Sequence, residues 1–245
     1  GILDGVHGAP SASSSASSAA SSDSIAFSSA IALMTAPVAF AETSGDEPVS
    51  TDGMELVTKD NRGSIYADPG VDWSVYQRII LDDATVAFRK NWRRDQNRGD
   101  PLRVNAQDME KIKQGLSELF SEVFTEELSA NGGYEIVEAS GDDVLRITPR
   151  IVDLDVYAPD TRRSTGISRS FTESSGKMTL KLEIHDSVTG DLIAAASDKQ
   201  KSPYRGYYQW TTGVSNRADA RRMLQKSAEG LRTRLDEATG KAPAE

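Results

Sequence analysis

The stretches VLRITPRIVDLDVYA, residues 144–158, and KMTLKLEIHDSVTGDLIAAASDKQ, residues 177–200, decide the fold. In the second, Met178, Leu180, Leu182 and Ile184 recur at every other position, the period of a strand with one buried face. The segment DSVTGDL then supplies turn chemistry, and LIAAASDKQ returns as the hairpin partner. The first stretch does not lie flat so easily. Leu145, Ile147 and Ile151 keep one phase, while Val152, Leu154 and Val156 keep the other. A strand exchanges faces only by taking in an extra residue, so a bulge or sharp bend is expected between Pro149 and Val152.

Upstream, WSVYQRIILDDATVAF (73–88) has the β-branched and aromatic content of a strand, with Asp82 and Asp83 marking a bend inside it. YEIVEA (134–139) reads as a shorter strand. Between them Met109, Ile112, Leu116, Leu119, Phe120, Val123, Phe124 and Leu128 fall at steps of three and four, which predicts one amphipathic helix over 106–130. Asn105 with Asp108 forms a capping-box pattern, and Gly132-Gly133 is a stop. A second such helix is expected over 216–238, on Met223, Leu224, Ala228, Leu231 and Leu235. Strands and helices alternate too little for a doubly wound sheet. The expected fold class is therefore α+β: an antiparallel or mixed sheet of about five strands, two amphipathic helices packed on one face, and a disordered N-terminal tail. The expected organisation is 1–41 as tail plus signal-like segment, 42–71 as an extended arm, and 72–240 as a single α+β domain.

The tail is separated by composition. Residues 11–24 are only Ser, Ala and one Asp, too polar and repetitive to bury a core. The apolar run Ile25–Ala41 is too short and too diluted to span a membrane but suits the hydrophobic part of an export signal. Ala39-Phe40-Ala41 then gives the small-x-small pattern a signal peptidase accepts. With no transmembrane span, the expected location is the periplasm. A net charge of -9 argues against nucleic acid, whose phosphates require a basic face. The absence of cysteine excludes disulfides, thiolate metal sites, a cysteine nucleophile and a lipid attached through cysteine.

From about Met54 to Ala238 the body resembles an uncharacterised family of bacterial envelope lipoproteins, the domain of unknown function 3313. Four pieces carry the resemblance in order: SIYADPGVDWSVYQRIILDDATVAF, EELSANGGYEIVEASGDDVLRITPRI, GKMTLKLEIHDSVTGDLIAAASD and RADARRMLQKSAEGLRTRLDEA. The resemblance implies an envelope location and transfers no catalytic residue. Members of the family commonly begin with a lipidated cysteine. This sequence has none, so the expectation is a periplasmic form without a lipid anchor.

Candidate sites are few. His185 beside Asp186 lacks the partner histidine or cysteine that a transition-metal site needs, and no serine elbow accompanies it. Asp153 and Asp155 share a strand side and read as a solvent face rather than an acid–base pair. FRKNWRRDQNR (88–98) reads as an exposed loop. There Arg89, Arg93 and Arg94 surround Trp92, and SPYRGYYQW (202–210) sets Tyr204, Tyr207, Tyr208 and Trp210 beside Arg205. Those nine residues are the candidate partner-binding surface, suited to an envelope protein, a cell-wall component or a lipid headgroup. No catalytic residue, cofactor or metal is assigned. The expected function is a non-enzymatic binding or accessory protein of the cell envelope. The alternatives are a small-ligand carrier and, behind it, an enzyme acting on cell-wall sugars through carboxylates. A deep apolar pocket favours the carrier or the enzyme, and a flat patch carrying Trp92, Arg93, Tyr207 and Trp210 favours a partner surface.

Overall fold

A computed structural model describes residues 53–98, 104–157, 171–172, 176–202, 209–210 and 213–241. The Ser/Ala tail, the signal-like run and most of the connection after residue 157 lie outside the described residues. The chain divides at Ala41/Glu42, and every described residue belongs to the second unit. In order its elements are β1 (Glu55–Lys59), β2 (Gly63–Ala67), a 3-10 turn (Trp73–Val75), β3 (Arg78–Leu81), β4 (Thr85–Phe88), α1 (Trp92–Gln96) and α2 (Ala106–Ser129). A second 3-10 turn (Ala130–Gly132) leads to β5 (Glu135–Ile136) and β6 (Val144–Val156). The chain continues through β7 (Phe171–Thr172), β8 (Gly176–Asp186), β9 (Leu192–Lys201), β10 (Gln209–Trp210) and α3 (Gly213–Thr239).

The fold class is α+β and the sheet is mixed. Its order is β1-β2-β9-β8-β6-β3-β5, with β4 also on β6, while β7 and β10 form a separate pair. β8 pairs antiparallel with β6 and β9, whereas β3 and β4 run parallel to β6. Eight strands stand where about five were expected, for two physical reasons. The expected extended arm is instead a hairpin: β1 and β2 pair with each other, and β2 adds to β9. Gly63 makes that addition sterically feasible, because a β-carbon there would overlap the carbonyl oxygen of Ser197. The single strand expected over 73–88 is broken at Asp82-Asp83-Ala84, so β3 pairs with Val144–Ile147 and β4 resumes on the same neighbour from Arg150. Pro149 falls between them, where that side of β6 carries no ladder to lose.

The face exchange in β6 occurs one residue beyond the expected window. The register with β8 shifts between Val152 and Asp155, with Asp153 at φ 53. Aspartate tolerates this left-handed conformation better than the β-branched Val152 does, which places the extra residue.

One face of the sheet carries the core. Leu145, Ile147 and Ile151 of β6 and Met178, Leu180, Leu182 and Ile184 of β8 join the apolar stripes of α2 and α3 in one buried cluster. Phe120 and Phe124 stack there at 4.0 Å between ring centroids. The helix α2 opens on the expected capping box, Asn105 accepting from the Asp108 amide at 2.8 Å and Asp108 accepting from the Asn105 amide at 3.0 Å. Its other end is closed from α3. The buried Arg232 donates through Nη1 to the carbonyl oxygens of Glu127 (3.2 Å), Leu128 (2.9 Å) and Ala130 (3.1 Å), while its Nε is held by Asp236. Carbonyls left over at a helix end require such donors. Across the sheet the other face is polar: Arg146 pairs with Asp82 at 2.9 Å, Arg150 with Glu183, and His185 lies 3.7 Å from Glu183.

A candidate ligand groove

Seven strands side by side span roughly 29 Å at the usual interstrand spacing, and two packed helices cover about 20 Å. The sheet therefore extends past its helical layer. α2 packs against β4 and β5, and α3 packs against α2 and reaches the sheet at β9. Beyond that line the inner side of β9, β2 and β1 faces α3 across a groove of about 780 Å³. That volume falls in the range of small-molecule sites.

On β9 the sequence builds this opening largely from small side chains, beside Leu180, Leu182 and Ile184 of β8 and Leu231 and Leu235 of α3. On β9 the inward positions are Ala194, Ala196 and Asp198, alternating with Ala195 and Ser197 on the outer face. Ile65 of β2 continues the apolar floor from β9. Val57 is the extra residue where the β1–β2 register shifts, and it stands 55% exposed at the groove wall. From α3 comes Gly230, where a β-carbon would meet nothing within 4 Å. At one end Asp198 is held by two donors, Ser227 Oγ at 2.8 Å and Gln200 Nε2 at 2.5 Å, both directed at Oδ2. At the rim Arg62 pairs with Asp60 (3.8 Å) and Arg234 with Glu237 (3.0 Å), while Lys226 and Glu229 line the helix side.

Of the nine residues singled out from sequence, the four whose side chains are described, Arg89, Trp92, Arg93 and Arg94, do not line this groove. Trp92 is buried at 1% exposure, stacks on Phe88 at 4.1 Å, and donates its indole N–H to the Val156 carbonyl at 3.1 Å. It belongs to the core, and the segment expected as a loop contains the short helix α1. Arg89 is committed to Asp155 at 2.9 Å and Asp95 at 2.7 Å. Arg93 and Arg94 are exposed, the latter 3.3 Å from Asp95. Trp210 is described through its backbone alone, paired in β10 with Phe171 of β7, while Tyr204, Arg205, Tyr207 and Tyr208 lie outside the described residues.

The carboxylate pair also separates. Asp153 is exposed on the bulge, but Asp155 is buried against Arg89, which corrects the expectation of a shared solvent face. The bulge between them breaks the strand parity on which that expectation rested. His185 lies on the outer face as expected, its Nδ1 3.2 Å from the Gly190 carbonyl. Asp186 organises the turn after β8: it accepts from the amides of Val188 and Thr189 and from the Tyr76 hydroxyl at 2.8 Å. The Thr189 amide, opposed by burial and aided by Tyr76, holds the Asp186 carboxyl below the usual carboxylate range. Burial, with Asp186 alongside, pushes the Tyr76 phenol up to about 12. Among the described residues no group of three His, Asp or Glu converges as a metal would require.

The chain belongs to the family described as protein of unknown function DUF3313, whose model matches residues 49–231. No match is found among curated proteins. Solved structures with a similar outline include the PelC dodecamer of Paraburkholderia phytofirmans. That protein is 10% identical, with 69% of this chain and 97% of that chain covered and a TM-score of 0.32. A "putative lipoprotein" of Caulobacter crescentus is 11% identical over 71% of this chain and 96% of that one, with a TM-score of 0.34. A DUF330 protein of Xanthomonas campestris is 14% identical over 71% and 91%, with a TM-score of 0.35.

Proposed function

We propose that the chain is a non-enzymatic binding protein of the bacterial cell envelope that holds a small apolar ligand in the groove between α3 and the β9–β2–β1 end of the sheet. The groove carries this reading. A pocket with an apolar floor and a few convergent polar groups is the usual form of a small-ligand site. It favours the carrier alternative over a flat aromatic partner surface, because Trp92 is used in the core. The sugar-acting alternative loses its carboxylate pair at the β6 bulge. Export to the periplasm is supported by the apolar run 25–41 ending in Ala39-Phe40-Ala41, immediately ahead of the family domain.

The test is recovery of the protein from the envelope fraction of its host without detergent, followed by solvent extraction and mass spectrometry. A Gly230→Trp variant fills the groove from the helix side at a position where a side chain meets open space. The expected result is an apolar compound that accompanies the wild type and is missing from the variant. Identical extracts from the two proteins would sink the reading.

A further inference from the structure

Resting on that reading, we propose that the groove selects ligands carrying a protonated amine at one end of an apolar body, and that Asp198 is the group that recognises the amine.

Both protein donors at Asp198, Ser227 and Gln200, go to Oδ2, and among the described residues none is directed at Oδ1. A carboxylate accepts at both oxygens, so Oδ1 of this groove-lining residue retains its hydrogen-bonding capacity. Four of the other ionic groups around the groove are held in pairs. Asp60 pairs with Arg62 and Arg234 with Glu237, and Lys226 and Glu229 are of opposite sign. With those pairs set aside, Asp198, Lys226 and Glu229 leave the lining, among the described residues, with a net negative charge. Asp198 sits at the end of a floor made of Ala194, Ala196 and Ile65, where low polarity strengthens a charge-assisted contact. An ammonium fits this place as a compact donor, whereas a carboxylate end would meet like charge. The two existing donors hold the Asp198 side chain in position, so little of its freedom remains to be lost on binding.

Decylamine, decanol and decanoate share one apolar body and differ in their end group. Titration calorimetry of the full chain with each, below micelle formation, measures the preference, and the fluorescence of Trp73, which lines the groove, locates the binding. The expected order is decylamine tightest and decanoate weakest, the extremes differing by about tenfold or more, the scale of a partly exposed charge-assisted hydrogen bond. Asp198→Asn should weaken decylamine by about tenfold and leave decanol unchanged. Asp198→Ser repeats the test with a side chain that fits the same space if the amide disturbs Gln200. Gly230→Trp should abolish binding of all three while circular dichroism stays as in the wild type. Equal binding of the three probes, lost together in Gly230→Trp, overturns the amine preference and leaves the groove as the site. An amine preference that survives both Asp198 variants also overturns it. Failure of every probe to bind counts against the groove and the preference alike.

Discussion

The middle of the sheet and its β9–β2–β1 end share one backbone ladder but carry different volumes of side chain. Under the helices, Ile147 and Ile151 of β6 lie in one buried cluster with Phe120 and Phe124. At the open end, the same inward positions hold Ala194, Ala196 and, on β2, Gly63. Large apolar residues are tolerable where a helix removes them from water, and they would form an exposed patch where none does. Where the helical layer stops, the side chains shrink, and the space between sheet and α3 stays open. The lesson is that a site can arise from a mismatch in width between two layers, with no loop or catalytic motif involved.

This contrast makes three measurable claims. Phe120→Ala, in the covered half, should lower unfolding stability by about 3–5 kcal/mol in denaturant titration, the range for a large aromatic removed from a packed core. A loss below about 1 kcal/mol would mean that the helices do not pack as tightly as the contrast requires. A smaller effect concerns pH. Burial pushes the Tyr134 phenol up to about 12, beside its 2.9 Å bond with Thr239, and Tyr76 is raised to about 12 as well. A phenol whose folded value is raised contributes stability that is fully present below its unfolded value near 10 and is lost as pH rises through 12. Tyr134→Phe should therefore flatten the decline in stability between pH 10 and pH 12 by on the order of 2 kcal/mol. An unchanged slope would show that Tyr134 is not sealed in the covered half. The smallest effect belongs to the open end. Gly230 lies inside α3 with empty space where its β-carbon would be, so Gly230→Ala should add about 0.5–1 kcal/mol of stability, read as a higher thermal midpoint. Destabilisation by that single methyl would mean that the groove is narrower than described.

What could be read from sequence was what local chemistry settles. The alternation through Met178–Ile184, the turn at Asp186, and the Asn105–Asp108 cap each depend on a few neighbouring residues, and each appears where expected. The β1–β2 hairpin was legible only in part. Asp60-Asn61-Arg62-Gly63 has turn composition, and Asp60 does accept from the amides of Arg62 and Gly63. Its strands, however, are only five residues each, too short for alternation to give a strand signal. Trp92 was misplaced because the charges around it are local, while the groups that bury it are not: its hydrogen-bond partner Val156 is 64 residues away. The groove was beyond reach, since it follows from counting strands against helices. Two signals toward it stood in the sequence: the low-volume run Ala194-Ala195-Ala196 in a strand, and Gly230 inside a helix at a cost of about 1 kcal/mol relative to alanine.

Arg232 has a consequence for how the chain is made. The three carbonyls it satisfies belong to residues synthesised more than a hundred positions earlier. Until α3 emerges those carbonyls lack the guanidinium, although the amides of Tyr134 and Gly133 already reach Leu128 and Ala130, and Met223, Leu224 and Leu235 are missing from the core that β8 has already begun. A product ending before residue 213 would be a sheet with one long helix and a bare apolar face, material for proteolysis or aggregation.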